Sequence, residues 1–169
     1  MKANNKWRMM TSNEFAAVEA TTPLVPWLDP DTAALLRRMV ALLAVRRSDL
    51  RAVILFGSVA RHDERPLTDA HPSDVDILVL FETEPMQQTI SGEQHAAISW
   101  ALLDALDTYP ETPREVQTVA MLSNLAGRDS TFLENVSSDG IVLWQRGPLP
   151  SVFASLAEQL GPSVEIDSR

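Results

Sequence analysis

The stretch FGSVARHDERPLTDAHPSDVD, residues 56–76, decides how this chain folds. It leaves an apolar run, RAVILF (51–56), through Gly57 and Ser58. Fifteen residues separate Ser58 from Asp74, and with one residue between, Asp76 follows in a second apolar run, DVDILVLF (74–81). Short apolar runs bounded by turn residues predict buried strands, here 51–56 and 74–81. A helical turn is expected to start near Ser58, and Pro66 and Pro72 keep the intervening loop irregular.

Side chains two apart on a strand share a face, so Asp74 and Asp76 point the same way with Cα atoms roughly 6–7 Å apart. Two carboxylates that close repel unless they share a cation, and hard divalent ions prefer such oxygen ligands. A glycine at a strand end lets a ligand approach the backbone, and amides at the start of a helix favour a phosphate. Gly-Ser ends one strand while Asp-x-Asp begins the next. The two halves meet at one sheet edge only if the strands are antiparallel neighbours. Each feature alone is ordinary turn chemistry. Their pairing, between two apolar strands, points to a phosphate and metal site.

The rest of the chain narrows the possibilities. Its 169 residues, 45% of them hydrophobic, suffice for one domain with a real core. The lack of cysteine removes disulfides, zinc–thiolate centres and thiol nucleophiles. A net charge of -9, with both lysines (Lys2 and Lys6) near the N-terminus, argues against a nucleic-acid partner, which needs basic surface. The first residues lack the apolar stretch of a signal peptide, and no run approaches a membrane span, so a cytoplasmic protein is expected.

Along the chain, a short helix at SNEFAAVEA and a Pro-broken segment form an expected N-terminal arm, residues 1–30. The main domain is expected over 31–147, and a helix with a polar tail over 148–169. Within the domain, DPDTAALLRRMVALLAVRRSDL reads as a capped helix, apolar around much of its circumference. A second long helix is expected at 91–109, a third strand at 114–122, a helix near 130–139 closed by Gly140, and a short strand at 141–144. Interleaved helices and strands predict an α+β (α/β-type) fold. Trp100, Trp144 and Met121 fall in apolar patterns and are expected in the core. His62, His71 and His95 show no metal-ligand spacing. The G-x-S-x-G elbow, the P-loop and G-x-G-x-x-G are all missing.

LFGSVAR followed by SDVDILV resembles the signature of the nucleotidyltransferase superfamily that includes DNA polymerase beta. Its size brings the chain nearest the small bacterial minimal nucleotidyltransferases. The resemblance implies a mixed sheet flanked by helices, Mg²⁺ held by Asp74 and Asp76, and ATP or another nucleoside triphosphate contacted by Gly57 and Ser58. Arg61 matches the arginine of the small members' GS-x-A-R-G. Three departures stand out. His62 replaces the glycine after that arginine, and the loop before Asp74 is long. Gln117 occupies the place of the family's third carboxylate, which completes the metal site and activates the incoming hydroxyl. Glu115, two residues earlier on the same strand face, is the candidate substitute.

Two readings follow. In one, the chain moves a nucleoside monophosphate, AMP by expectation, to a hydroxyl of a protein or small molecule. Small members of the family work with a separate helical HEPN toxin as antitoxins, which makes such a partner the expected one. In the other, Gln117 marks a weakened site, and the domain binds a nucleotide or a partner without turnover.

Overall fold

The computed structural model describes residues 10–125 and 127–157. Four strands form one sheet in the order β3-β2-β1-β4: β1 (Leu50–Phe56), β2 (Val75–Phe81), β3 (Val116–Leu122) and β4 (Ile141–Gln145). β1 runs antiparallel to both β2 and β4, while β2 and β3 are parallel. The sheet is therefore mixed, as the family resemblance implies. The parallel pair needs a crossover, and helix α4 (Gly92–Thr108) supplies it.

Helices α1 (Ser12–Thr21), α2 (Pro30–Arg46) and α4 cover one face of the sheet. α2 is apolar nearly all round because it lies against β1, with α1 and α4 packed on it as well. Ten of its seventeen residues are buried, so its circumference is filled within the chain. Residues 10–29, expected as an arm, rest on this layer, with Val25 and Leu28 buried in the same core. α5 (Ser130–Asp139), a 3-10 turn (Ser151–Phe153) and α6 (Ala154–Ala157) cover the other face around Ile54, Leu78, Met121 and Phe153. The remainder of the expected tail lies outside the described residues.

Gly140 closes α5 as expected, yet in an extended rather than left-handed conformation (φ -62°). The reason for glycine there is space: a Cβ would sit 2.8 Å from Leu156 Cδ1 and 3.0 Å from Ile54 Cγ2. Met121 is buried and Trp144 half-buried, but Trp100 is not a core residue. It stands 61% exposed on α4 beside Leu103, which is 52% exposed. The helical period marks an apolar position without saying whether anything in the chain covers it. Among the described residues no helix is long and apolar enough to cross a membrane.

Candidate active site

Antiparallel pairing of β1 and β2 sets Phe56 directly opposite Asp76. Gly57 and Ser58 thereby come to the sheet edge where Asp74 and Asp76 begin β2, the arrangement the Gly-Ser and Asp-x-Asp pair requires. The chain turns at Gly57 with φ +79° into the five-residue helix α3 (Gly57–Arg61), whose first turn no side chain caps. Positive φ suits glycine, and here proximity demands it too. A Cβ at Gly57 would lie 3.2 Å from Asp76 Cγ and inside contact distance of its Oδ2.

Asp76 is half-buried, and its carboxyl group is shifted above the usual carboxylate range. Burial is the largest cause, the neighbouring Asp74 charge adds to it, and Arg61 opposes both. A cation between the two carboxylates would relieve the same repulsion. Two hard oxygen donors, without a thiolate or imidazole beside them, suit Mg²⁺.

Arg61 is held by Asp63 (Nε to Oδ2, 3.1 Å) and by Asp139 at the end of α5 (Nη1 to Oδ2, 3.1 Å). These bonds, Asp63 first, raise its pKa further. It thus ties α3 to α5 while keeping its charge within reach of Asp76. His62 ends α3 in the left-handed region (φ +61°), a conformation that suits glycine better than a histidine. Here the imidazole stacks on Trp27, with ring centroids 4.2 Å apart, and Trp27 Nε1 donates to the Val59 carbonyl at 2.7 Å. The tryptophan, thirty-two residues upstream of Val59, secures the back of α3.

The long loop is closed at its base rather than left open. Arg65 N–H donates to Ser73 Oγ at 2.7 Å, and Arg65 Nε to the His71 carbonyl at 2.6 Å. Arg114, whose side chain is only 6% exposed, donates through Nη1 to the carbonyls of Arg65 (3.0 Å) and Ser73 (2.8 Å). Its Nε faces Asp29 Oδ1 at 3.8 Å, and Asp29 in turn caps α2 through Thr32. Arg114 therefore grips the residue immediately before Asp74. Arg114, expected as the first residue of the third strand, precedes it, because β3 starts at Val116, and a lone arginine there carries no sequence signal. The same is true of Trp27 and Asp139, whose partners lie far along the chain.

Parallel pairing sets Gln117 beside Asp76, and Val75 N–H donates to the Glu115 carbonyl at 2.8 Å. Asp74, Asp76, Glu115 and Gln117 all fall on the face that α5 covers further along. Glu115 and Gln117 are exposed. Among the described residues no three His, Cys, Asp or Glu side chains gather into a metal-binding group, so the two aspartates stand as a pair without Glu115. A surface depression of about 740 Å³ around Arg47, Asp49 and Gln94 lies at the opposite end of β1 and β2. Its buried Gln94 is bonded to Asp49 and Ser91.

A mixed sheet whose Gly-Ser turn abuts an Asp-x-Asp strand defines a nucleotidyltransferase domain. The family model described as "Polymerase beta, Nucleotidyltransferase" matches residues 40–148, and the chain belongs to that family. Solved structures similar to it include a toxin-antitoxin with AMP-PNP, at 22% identity and TM-score 0.45 over 73% of this chain and 86% of that chain. Another is a mutant of the toxin-antitoxin MntA-HpeT, at 21% identity and TM-score 0.44 over 72% and 86%. No curated protein sequence matches the chain.

Proposed function

We propose that this chain is a nucleotidyltransferase that moves AMP from ATP to a hydroxyl group of an acceptor. The observation that carries the reading is the contact between Gly57 and Asp76 across the β1–β2 pair. It joins the turn that can cradle a triphosphate to the carboxylates that can hold its counterion. Asp74 and Asp76 are the residues that would hold Mg²⁺, which when bound offsets charge on the triphosphate oxygens and orients them. Gly57 and Ser58 bind the phosphates through backbone and hydroxyl. Arg61 adds positive field from its place between Asp63 and Asp139.

In the reaction the acceptor oxygen forms a bond to the α-phosphorus, the bond to the bridging oxygen breaks, and pyrophosphate leaves. The hydroxyl proton needs a base. Gln117 is an amide and cannot take it. Glu115, the residue just before β3, is the carboxylate that can, by turning its longer side chain toward Asp74. The acidic surface favours a protein acceptor over a nucleic acid. A helical partner of the HEPN type, with this chain as antitoxin in the cytoplasm, is consistent with the likeness to minimal nucleotidyltransferases.

The test incubates the chain with Mg²⁺, ATP labelled at the α-phosphate, and a lysate of candidate acceptors. Label should pass to protein and should vanish in Asp74→Asn and Asp76→Asn. Gln117 favours a second reading, a nucleotide-binding partner protein without turnover. Mg·ATP binding with no transfer to any acceptor would establish that one instead.

A further inference from the structure

β3 is an edge strand, and its inner neighbour β2 carries Asp76 in register with Gln117. Because Val75 N–H bonds the Glu115 carbonyl, the alternation of a parallel ladder turns Glu115 and Gln117 toward β2. The backbone groups of Val116 and Thr118 then face outward. Further along, Arg128 Nη2 donates to the Ala120 carbonyl at 3.1 Å and covers that part of the edge. The uncovered length is thus the part nearest Asp76. Beside it runs a groove of about 300 Å³, with an apolar side of Leu35, Leu102, Leu106 and Val116 and a polar side that includes Arg114, Glu115 and Gln117.

We propose that an acceptor protein docks here by adding an extended, basic segment to the outer edge of β3 at Val116 and Thr118. This rests on the transferase reading and names the kind of acceptor. An added strand alternates its side chains between the two faces. One set would enter the groove on the α4 side, and the residues between would stand on the face shared by Gln117, Asp76 and Asp74. A serine, threonine or tyrosine at such a position brings its hydroxyl to the site.

Charge decides what kind of segment fits. Between Arg65 and Arg128 the sequence has a single Arg or Lys, Arg114, and that side chain is buried and engaged. Glu115 is exposed and lines the groove, and the exposed Asp107 and Glu111 each adjoin a lining residue in sequence, Leu106 and Thr112. A second copy pairing through β3 would bring these same carboxylates together from both sides, whereas a basic segment would neutralise them.

The test measures fluorescence anisotropy with two labelled synthetic peptides of alternating valine and serine, one flanked by arginines and the other by glutamates. The basic peptide should bind about tenfold or more tightly than the acidic one. Thr118→Pro removes only an outward N–H, which an edge strand tolerates, and should weaken binding about tenfold. If that variant is unfolded by circular dichroism, the surface pair Asp107→Lys with Glu111→Lys decides, and it should reverse the preference. Equal binding of both peptides, no binding of the basic one, or a dimer crosslinked through Thr118→Cys would each overturn the proposal. The rise in melting temperature on adding Mg·ATP should be the same in these variants. Its absence from the unmodified chain, with peptide binding intact, would overturn the transferase reading and leave the docking edge standing.

Discussion

Gly57 and Asp76 approach so closely across the β1–β2 pair that no side chain fits between them. Gly57→Ala meets two obstacles, the carboxylate and a φ of +79° that an L-residue adopts at a cost of about 1–2 kcal/mol. The methyl can be accommodated only by displacing Asp76 or reshaping the turn. The expected outcome is a modest fall in melting temperature with a complete loss of AMP transfer. Calorimetry and the labelling assay on the same preparation check it. Full activity in the alanine variant would show that this contact is not part of the site.

Asp76 also sets a pH dependence. Its carboxyl is raised by burial and by Asp74, so the folded state holds that proton more tightly than the unfolded chain does. The contribution to stability is therefore present below the ordinary carboxylate range and is lost as pH rises through the raised value. Asp76→Asn removes the ionising group. Without metal at neutral pH the variant should melt above the parent, and the difference should shrink as the buffer is made acid. Transfer should be absent in the variant throughout. A scan of melting temperature against pH, with chelator present, decides the point.

The proton acceptor is tested on β3. Gln117 is the register partner of Asp76 and lies on its face, so Gln117→Asp sets a third carboxylate beside the pair. A positioned base contributes about 10²–10⁴-fold, and the substitution should raise turnover by at least the lower end of that range. Glu115→Gln in the parent should lower it by a similar factor. Initial rates of label transfer to one purified acceptor provide the measurement. Should Glu115→Gln turn over at the parent rate, Glu115 is not the base.

Behind α3, His62 occupies a left-handed cap and Trp27 stacks on it. The strain of the cap costs about 1–2 kcal/mol, and the stack returns about 0.5–1.5 kcal/mol. Trp27→Ala should destabilise the chain more in the parent than in the His62→Gly background, with a coupling of about 0.5–1 kcal/mol in a double-mutant cycle. Urea unfolding of the four variants gives that number.

How far the sequence carried these conclusions depends on the range of the interactions. Gly57, Ser58, Asp74 and Asp76 were legible because turn chemistry and period-two alternation are local, and because their joint use demanded antiparallel strands. Helix α2 was legible as apolar around much of its circumference, and α1 and α4 as helices, but not that those two would cover it. Trp100 misled because α4 shows a regular apolar stripe whose outer part the fold leaves bare. The Trp27–His62 stack, the Arg61–Asp139 bridge and the parallel register beside Gln117 join residues distant in the chain. No local pattern announces such contacts.

Arg114 shows what such a hidden contact can do. It is a buried cation with one carboxylate, Asp29, at 3.8 Å and two carbonyl acceptors at the base of the loop that delivers Asp74. Removing one partner of a buried charged network costs about 3–5 kcal/mol, because the remaining groups lose their compensation. Arg114→Met keeps much of the apolar bulk and should still lower unfolding free energy by about that amount. Asp29→Asn leaves the cap of α2 largely intact and should cost less. Arg114→Lys retains the charge but not the guanidinium fork that meets the Arg65 and Ser73 carbonyls, so it should recover only part of the loss. The distinguishing measurement is the Michaelis constant for Mg·ATP at a temperature where each variant is fully folded. If Arg114 holds Asp74 in place through Ser73, that constant rises in the lysine variant and stays at the parent value in Asp29→Asn.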